Sequence, residues 1–131
     1  MSPYYNVIVT ELTEALKILN FKNINDIICY GLGNFSDLRS SRFQLALILT
    51  VKILFSSTVY IYDPLFTENE IKCLISFELN VIPKNEEGKR IIRDCPTLVF
   101  MPHCSKQLTN NFLYANWSNK INNCILLGMF S

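Results

Sequence analysis

Ile27-Ile28-Cys29-Tyr30-Gly31-Leu32-Gly33-Asn34-Phe35 is the stretch that decides the fold. Its apolar first half reads as a strand, its Gly-x-Gly as a tight turn, and a long apolar helical segment follows. A strand that ends in Gly-x-Gly and runs at once into a helix lets backbone approach a ligand, and aims free N–H groups and the helix dipole at it. The stretch is therefore the expected first strand of a ligand-binding α/β sheet. It locates a binding place without naming a reaction.

Upstream, Tyr5, Ile8, Leu12, Leu16 and Leu19 recur at helical spacing with Thr10, Glu11, Glu14 and Lys17 between them, which predicts an amphipathic helix covering the sheet. Residues 1–26 are expected to form this covering element, and 27–131 the α/β core of a single domain. Downstream, Arg39 to Phe55 lacks Pro and Gly and is apolar nearly all round beyond Phe43. That predicts a helix buried on more than one side, with Ser36, Asp37 and Ser40 available to cap it. Thr58 to Tyr62 is a β-branched and aromatic strand stopped by Asp63-Pro64, and Thr67 with Glu70 offers a capping box for a helix from Glu68 to about Glu78. Val81-Ile82 starts a short third strand, and a polar stretch from Lys84 to Arg90 follows. Thr97 to Met101 reads as the fourth strand, Gln107 to Trp117 as a helix and Cys124 to Leu127 as a fifth strand.

Strand and helix alternate throughout. With right-handed crossovers this predicts a Rossmann-like three-layer α/β sandwich: a mainly parallel five-stranded sheet, helices on both faces, strand order three-two-one-four-five. The switch point of that order lies between the first and fourth strands. The loops after Tyr30 and Met101 would face each other there, with Asp63 flanking the crevice.

Composition narrows the function classes. Half of the 131 residues are apolar and 18% are charged, which fits a covered sheet and argues against a disordered tail. Net charge is +1 and no run of like charges exceeds two residues, so neither nucleic acid nor a membrane surface is expected as a partner. Phe43 to Phe55 is too short to span a bilayer and holds Gln44 and Lys52, and Met1-Ser2-Pro3-Tyr4 lacks the basic-then-apolar pattern of a signal peptide. The expectation is a soluble, intracellular monomer. Cys29, Cys73, Cys95, Cys104 and Cys124 are odd in number and contain no Cys-x-x-Cys, which favours reduced thiols over a disulfide or zinc framework.

Gly31 and Gly33 could mark only a turn, since Ser36 replaces the third glycine of the dinucleotide fingerprint. Asp63 could accept hydrogen bonds from two ribose hydroxyls, or only begin a turn. His103 is the single histidine, so one chain cannot supply a two-histidine metal site. Extended neighbours point to opposite sides, so His103 and Cys104 are not by default a nucleophile–base pair; His103 is instead a candidate hydrogen-bond group or base. Asn85, Glu87 and Gly88 could form a rim, and Asn116-Trp117 could close the crevice. Cys95-Pro96 has the form of a Cys-Pro haem-binding element, and equally suits the entry to a strand.

Tyr30-Gly31-Leu32-Gly33-Asn34-Phe35, Ser41-Arg42-Phe43-Gln44-Leu45-Ala46, Tyr62-Asp63-Pro64-Leu65-Phe66, Asn85-Glu86-Glu87-Gly88, Phe100-Met101-Pro102-His103-Cys104 and Ala115-Asn116-Trp117 resemble, in order, the blocks of the Sensitivity to Red Light Reduced domain family. The resemblance covers about residues 27 to 128. It implies a eukaryotic protein of the cytoplasm or nucleus, from a family described through circadian timing, light signalling and the regulation of haem synthesis. It also implies a pocket at Tyr30, Gly31, Gly33, Asp63, Asn85, Glu87, Gly88, Pro102, His103, Cys104, Asn116 and Trp117. Thr109, Tyr114 and Met129 depart from the pattern. Three functions follow as expectations: a regulatory module binding a nucleotide-derived or other small ligand and protein partners; a transferase using S-adenosylmethionine, with His103 as base; and a haem sensor using Cys95, Cys104 or His103. Met101-Pro102-His103-Cys104 is not the usual Asn-Pro-Pro-aromatic loop of the second.

Overall fold

A computed structural model describes residues 3–127, with side chains from Asn6 onward. The Met129 departure lies outside the described residues. The elements are α1 (Pro3–Leu19), β1 (Asp26–Tyr30), α2 (Arg39–Phe55), β2 (Thr58–Tyr62), α3 (Glu68–Ser76), β3 (Asn80–Val81), β4 (Thr97–Phe100), α4 (Lys106–Ala115) and β5 (Cys124–Leu127), with a short 3-10 turn at Asn119–Asn123. The five strands form one parallel sheet in the order β3-β2-β1-β4-β5. The expected order holds: β1 to β3 step one way across the sheet, and the chain then returns past β1 to lay down β4 and β5.

Side chains alternate along the strands and sort two cores. Ile27, Cys29, Val59, Ile61, Leu98 and Phe100 face one side, with Ile8, Leu12 and Leu16 of α1, Leu45, Leu47, Ile48 and Val51 of α2, and Leu74 of α3. Ile28, Tyr30, Val99 and Met101 face the other, against Phe112 of α4 and against Ile82 and Ile92. The second face is thinly covered because the β3–β4 connection holds no helix. Pro83, the turn residues Asn85 and Gly88, and the charged run around them break helical periodicity, so the segment crosses the sheet as an extended strap.

Three expectations change. Leu19 is 40% exposed, so the apolar stripe of α1 ends at Leu16. The α2 helix is buried on one side only: Ser41, Gln44, Leu45, Leu47, Ile48 and Val51 are covered, whereas Phe43, Ile53 and Leu54 are exposed, because three helices share that face and α2 meets only the sheet side. Its N-cap is Leu38, with no side-chain cap, since Ser36 is drawn away by Glu70. The capping box of α3 forms as read, with Thr67 Oγ1 accepting from Glu70 N and Glu70 Oε1 from Thr67 N. Among the described residues, no helix is long and apolar enough to cross a membrane.

Candidate functional site

The carboxyl ends of β1, β2 and β4 enclose a crevice of about 300 Å³. Its walls are Tyr30 and Gly31 after β1, Tyr62, Asp63, Pro64 and Leu65 after β2, His103, Cys104 and Ser105 after β4, and Asn85 and Gly88 of the strap with Leu108 of α4. The switch point thus lies between β1 and β4, where the strand order reverses. The two loops touch: the Cys104 thiol donates to Tyr30 O at 3.3 Å, and a Cβ placed on Gly31 would lie 2.8 Å from Cys104 Sγ. Gly31, at φ +78°, is glycine because the β4 loop sits on it.

Both glycine N–H groups of the turn are engaged within the protein, where a free anion cradle was expected. Gly31 N–H donates to Tyr62 O at 3.4 Å and Gly33 N–H to Asp63 Oδ2 at 2.8 Å. The helix does not follow at once, since α2 begins only at Arg39. The intervening loop is tied instead to Glu70 of α3, which is 2% exposed. Its carboxylate accepts from Ser36 N at 3.0 Å, Ser36 Oγ at 2.9 Å, Asn34 Nδ2 at 2.9 Å and Thr67 N at 2.9 Å. Burial raises the pKa of Glu70, but these hydrogen bonds outweigh it and hold the carboxyl down at about 2. The protein supplies its own anion where a dinucleotide fold would take a phosphate.

Asp63 is likewise engaged. Its Oδ2 accepts from Gly33 and its Oδ1 from Leu65 N at 2.8 Å, so it clamps both loops beside the crevice. Cys104 is held as a thiol: burial, then the charge of Asp63, pushes its pKa up to about 11. A nucleophilic or metal-binding thiolate is therefore disfavoured at neutral pH. His103, next to it, is exposed. Tyr30 is 3% exposed, and its hydroxyl has no hydrogen-bond partner within 3.5 Å. Burial and then the nearby Glu86 carboxylate, toward which the hydroxyl proton is drawn, raise its pKa, so the phenol stays protonated with its donor turned to Glu86.

Of the residues singled out in the sequence, the crevice gathers Tyr30, Gly31, Asp63, Asn85, Gly88, His103 and Cys104. Five lie outside its wall. Gly33 packs under α2, where a Cβ would meet Ser41 Oγ at 3.0 Å, and Pro102 is buried behind the loop. Glu87 is exposed, and its carbonyl accepts from Asn111. Asn116 is fully buried: its Oδ1 accepts from Ile92 N at 3.0 Å, and its Nδ2 donates to Arg90 O at 2.8 Å and Phe112 O at 3.0 Å. It latches the strap to α4 and lines nothing. Trp117 is 74% exposed and does not close the crevice. Tyr62, Pro64, Leu65, Ser105 and Leu108 were not picked out for this site; only their places next to Asp63 and Cys104, or one turn into α4, could have signalled them. Glu70 was legible as a capping residue and not as the loop's anchor, because its partners lie more than thirty residues away.

A parallel α/β domain with a crevice at its switch point is the class that this fold and geometry define. The SRR1 domain model matches residues 10–129, and the chain belongs to that family. It is 43% identical over 98 residues to an SRR1-like protein of Mus musculus, covering 70% of this chain and 38% of that protein. It is 35% identical over 94 residues to the protein SENSITIVITY TO RED LIGHT REDUCED 1 of Arabidopsis thaliana, covering 70% and 34%. To an SRR1-like protein of Drosophila melanogaster it is 29% identical over 120 residues, covering 91% and 43%. The chain therefore spans well under half the length of the curated relatives it matches. No solved structure matches it significantly.

Proposed function

We propose that the domain is a regulatory binding module whose switch-point crevice takes a small, nucleoside-like ligand. The observation that carries this is a cavity of about 300 Å³, at the lower end of the range for small-molecule sites, walled by loops from the carboxyl ends of three strands at the switch point. Glu70 already fills the glycine loop, which favours an uncharged or weakly charged adenosine-type group over a dinucleotide phosphate. The red-light response in the name of the Arabidopsis relative suggests the setting: control of a light-dependent or circadian output, in the cytoplasm or nucleus, through protein partners. S-adenosylmethionine fits this reading as a ligand; transfer chemistry would need a base, for which His103 is the candidate.

Haem is less well supported. Cys95 and Cys104 flank opposite ends of β4, so one haem cannot use both. Both thiols are pushed up, Cys95 by burial and then by Asp26.

The test is thermal unfolding of the protein with S-adenosylmethionine, S-adenosylhomocysteine, adenosine and haem, beside His103→Ala, whose side chain is exposed and whose loss should leave the fold intact. A ligand at a hundred times its dissociation constant stabilises by about 2.7 kcal/mol. A stabilisation of that size by an adenosine compound, reduced in His103→Ala, is expected. No shift with any adenosine compound at millimolar concentration would reject the reading.

A further inference from the structure

We propose that the space beneath the strap is a second binding site, adjoining the crevice at Asn85, and that it takes a compact polyanion. Where a helix would cover β1 and β2, the strap leaves a cavity of about 640 Å³, more than twice the crevice. Its floor is the second-face side chains of Asp26, Ile28 and Tyr60, and its roof runs from Lys84 to Arg93.

The roof is held rigidly before any ligand arrives. Asn116 fixes Arg90 O and Ile92 N, Lys120 Nζ donates to Ile92 O at 3.3 Å, and Gly88 packs so closely on α4 that a Cβ would lie 2.8 Å from Leu108 O. Two guanidiniums are fixed in the wall. Arg93 forks onto Asp26, with Nε donating to Oδ2 at 2.8 Å and Nη2 to Oδ1. Arg90 Nη1 donates to both oxygens of Glu86, at 2.9 and 3.0 Å, and its guanidinium lies 4.7 Å above the Tyr60 ring. Each keeps further N–H donors, because a guanidinium carries five.

These two pairs neutralise their own charges, and Lys89 makes a long, exposed pair with Glu87 at 3.9 Å that solvent screens, so Lys84 and the weakly held Lys89 are the cations left to a ligand. Arginine forks placed in advance, with two flexible ammonium groups at the rim, are the donor set that binds phosphate or clustered carboxylates.

Isothermal titration of the whole chain at low ionic strength with inorganic pyrophosphate and with citrate tests this, with potassium chloride at matched ionic strength as the screening control. Lys84→Gln/Lys89→Gln removes the excess charge at exposed positions and leaves the latch intact; His103→Ala reports on the crevice. The expected result is saturable binding of one anion per chain, weaker by at least about tenfold in the double variant and unchanged in His103→Ala. A tighter pyrophosphate arm would assign phosphate, and a tighter citrate arm carboxylate. No saturable binding, equal binding by the double variant, which would mean an adventitious ion only, or loss in His103→Ala would each overturn the proposal. None of these outcomes depends on whether the crevice binds an adenosine compound.

Discussion

Replacing Glu70 by Gln should uncouple the glycine loop from α3, and the cost can be worked from the structure. Gln keeps the shape but removes the charge and puts an amide NH₂ among four donors, from Ser36 N, Ser36 Oγ, Asn34 Nδ2 and Thr67 N. Hydrogen bonds to a charged acceptor are worth about 1.5–3 kcal/mol each, and with partial repair by water the net loss should be about 3 kcal/mol. The carboxyl offers a separate measure. Held at about 2 against an ordinary 4.5, it is worth at most about 3 kcal/mol at neutral pH. Because the folded pKa is the lower one, this contribution is complete above pH 4.5 and is lost as pH falls towards 2. Urea unfolding of both proteins at pH 7 and pH 2.5 reads the difference directly and cancels the other carboxylates. The gap should be about 3 kcal/mol at pH 7 and under about 1 kcal/mol at pH 2.5. A gap below about 0.5 kcal/mol at pH 7, or one that does not narrow in acid, would refute the account of the loop.

Asn116→Ala should cost about 2–3 kcal/mol and speed hydrogen exchange at Ile92, whose N–H loses its acceptor; unchanged exchange there would show that the strap is held otherwise. Gly31→Ala should destabilise by about 2 kcal/mol through φ +78° and the clash with Cys104 Sγ, and Cys104→Ala should recover part of it; purely additive losses would place the strain in the backbone alone. With its pKa at about 11 against an ordinary 9.0, Cys104 should react with iodoacetamide at pH 7.5 roughly 100-fold more slowly than an unperturbed thiol, faster as pH rises towards 11. Ordinary thiol reactivity at neutral pH would contradict the buried, Asp63-flanked geometry.

Much of the fold was legible because it rests on local pattern. The β-branched run Thr58–Tyr62, the apolar run of Arg39–Phe55 and the Thr67/Glu70 box each fix an element through neighbours a few residues away; alternation of strand and helix then points to a parallel sheet, and the order found is the commonest for such sheets. The site was legible only in part. Gly31, Asp63 and His103 meet because strand ends meet, which follows from topology. The buried latch of Asn116 and the anchoring of Asn34 and Ser36 by Glu70 arise from contacts across 24 to 36 residues, which periodicity cannot encode. An Asn near the end of a helix and a Glu in a capping box look the same whether or not a distant loop has come to rest on them. The exposed Ile53 and Leu54 show the converse: apolar composition alone does not say which side of a helix finds a neighbour.

The central claim is that the switch-point crevice is a ligand site. Amide chemical-shift mapping of the labelled chain, titrated with adenosine and with S-adenosylhomocysteine, tests it most directly. The account predicts saturable shifts concentrated at Gly31, Gly88, His103, Cys104 and Ser105, with the strap from Arg90 to Arg93 unmoved. Absence of shifts with both compounds at millimolar concentration, or shifts confined to residues away from these loops, would contradict it.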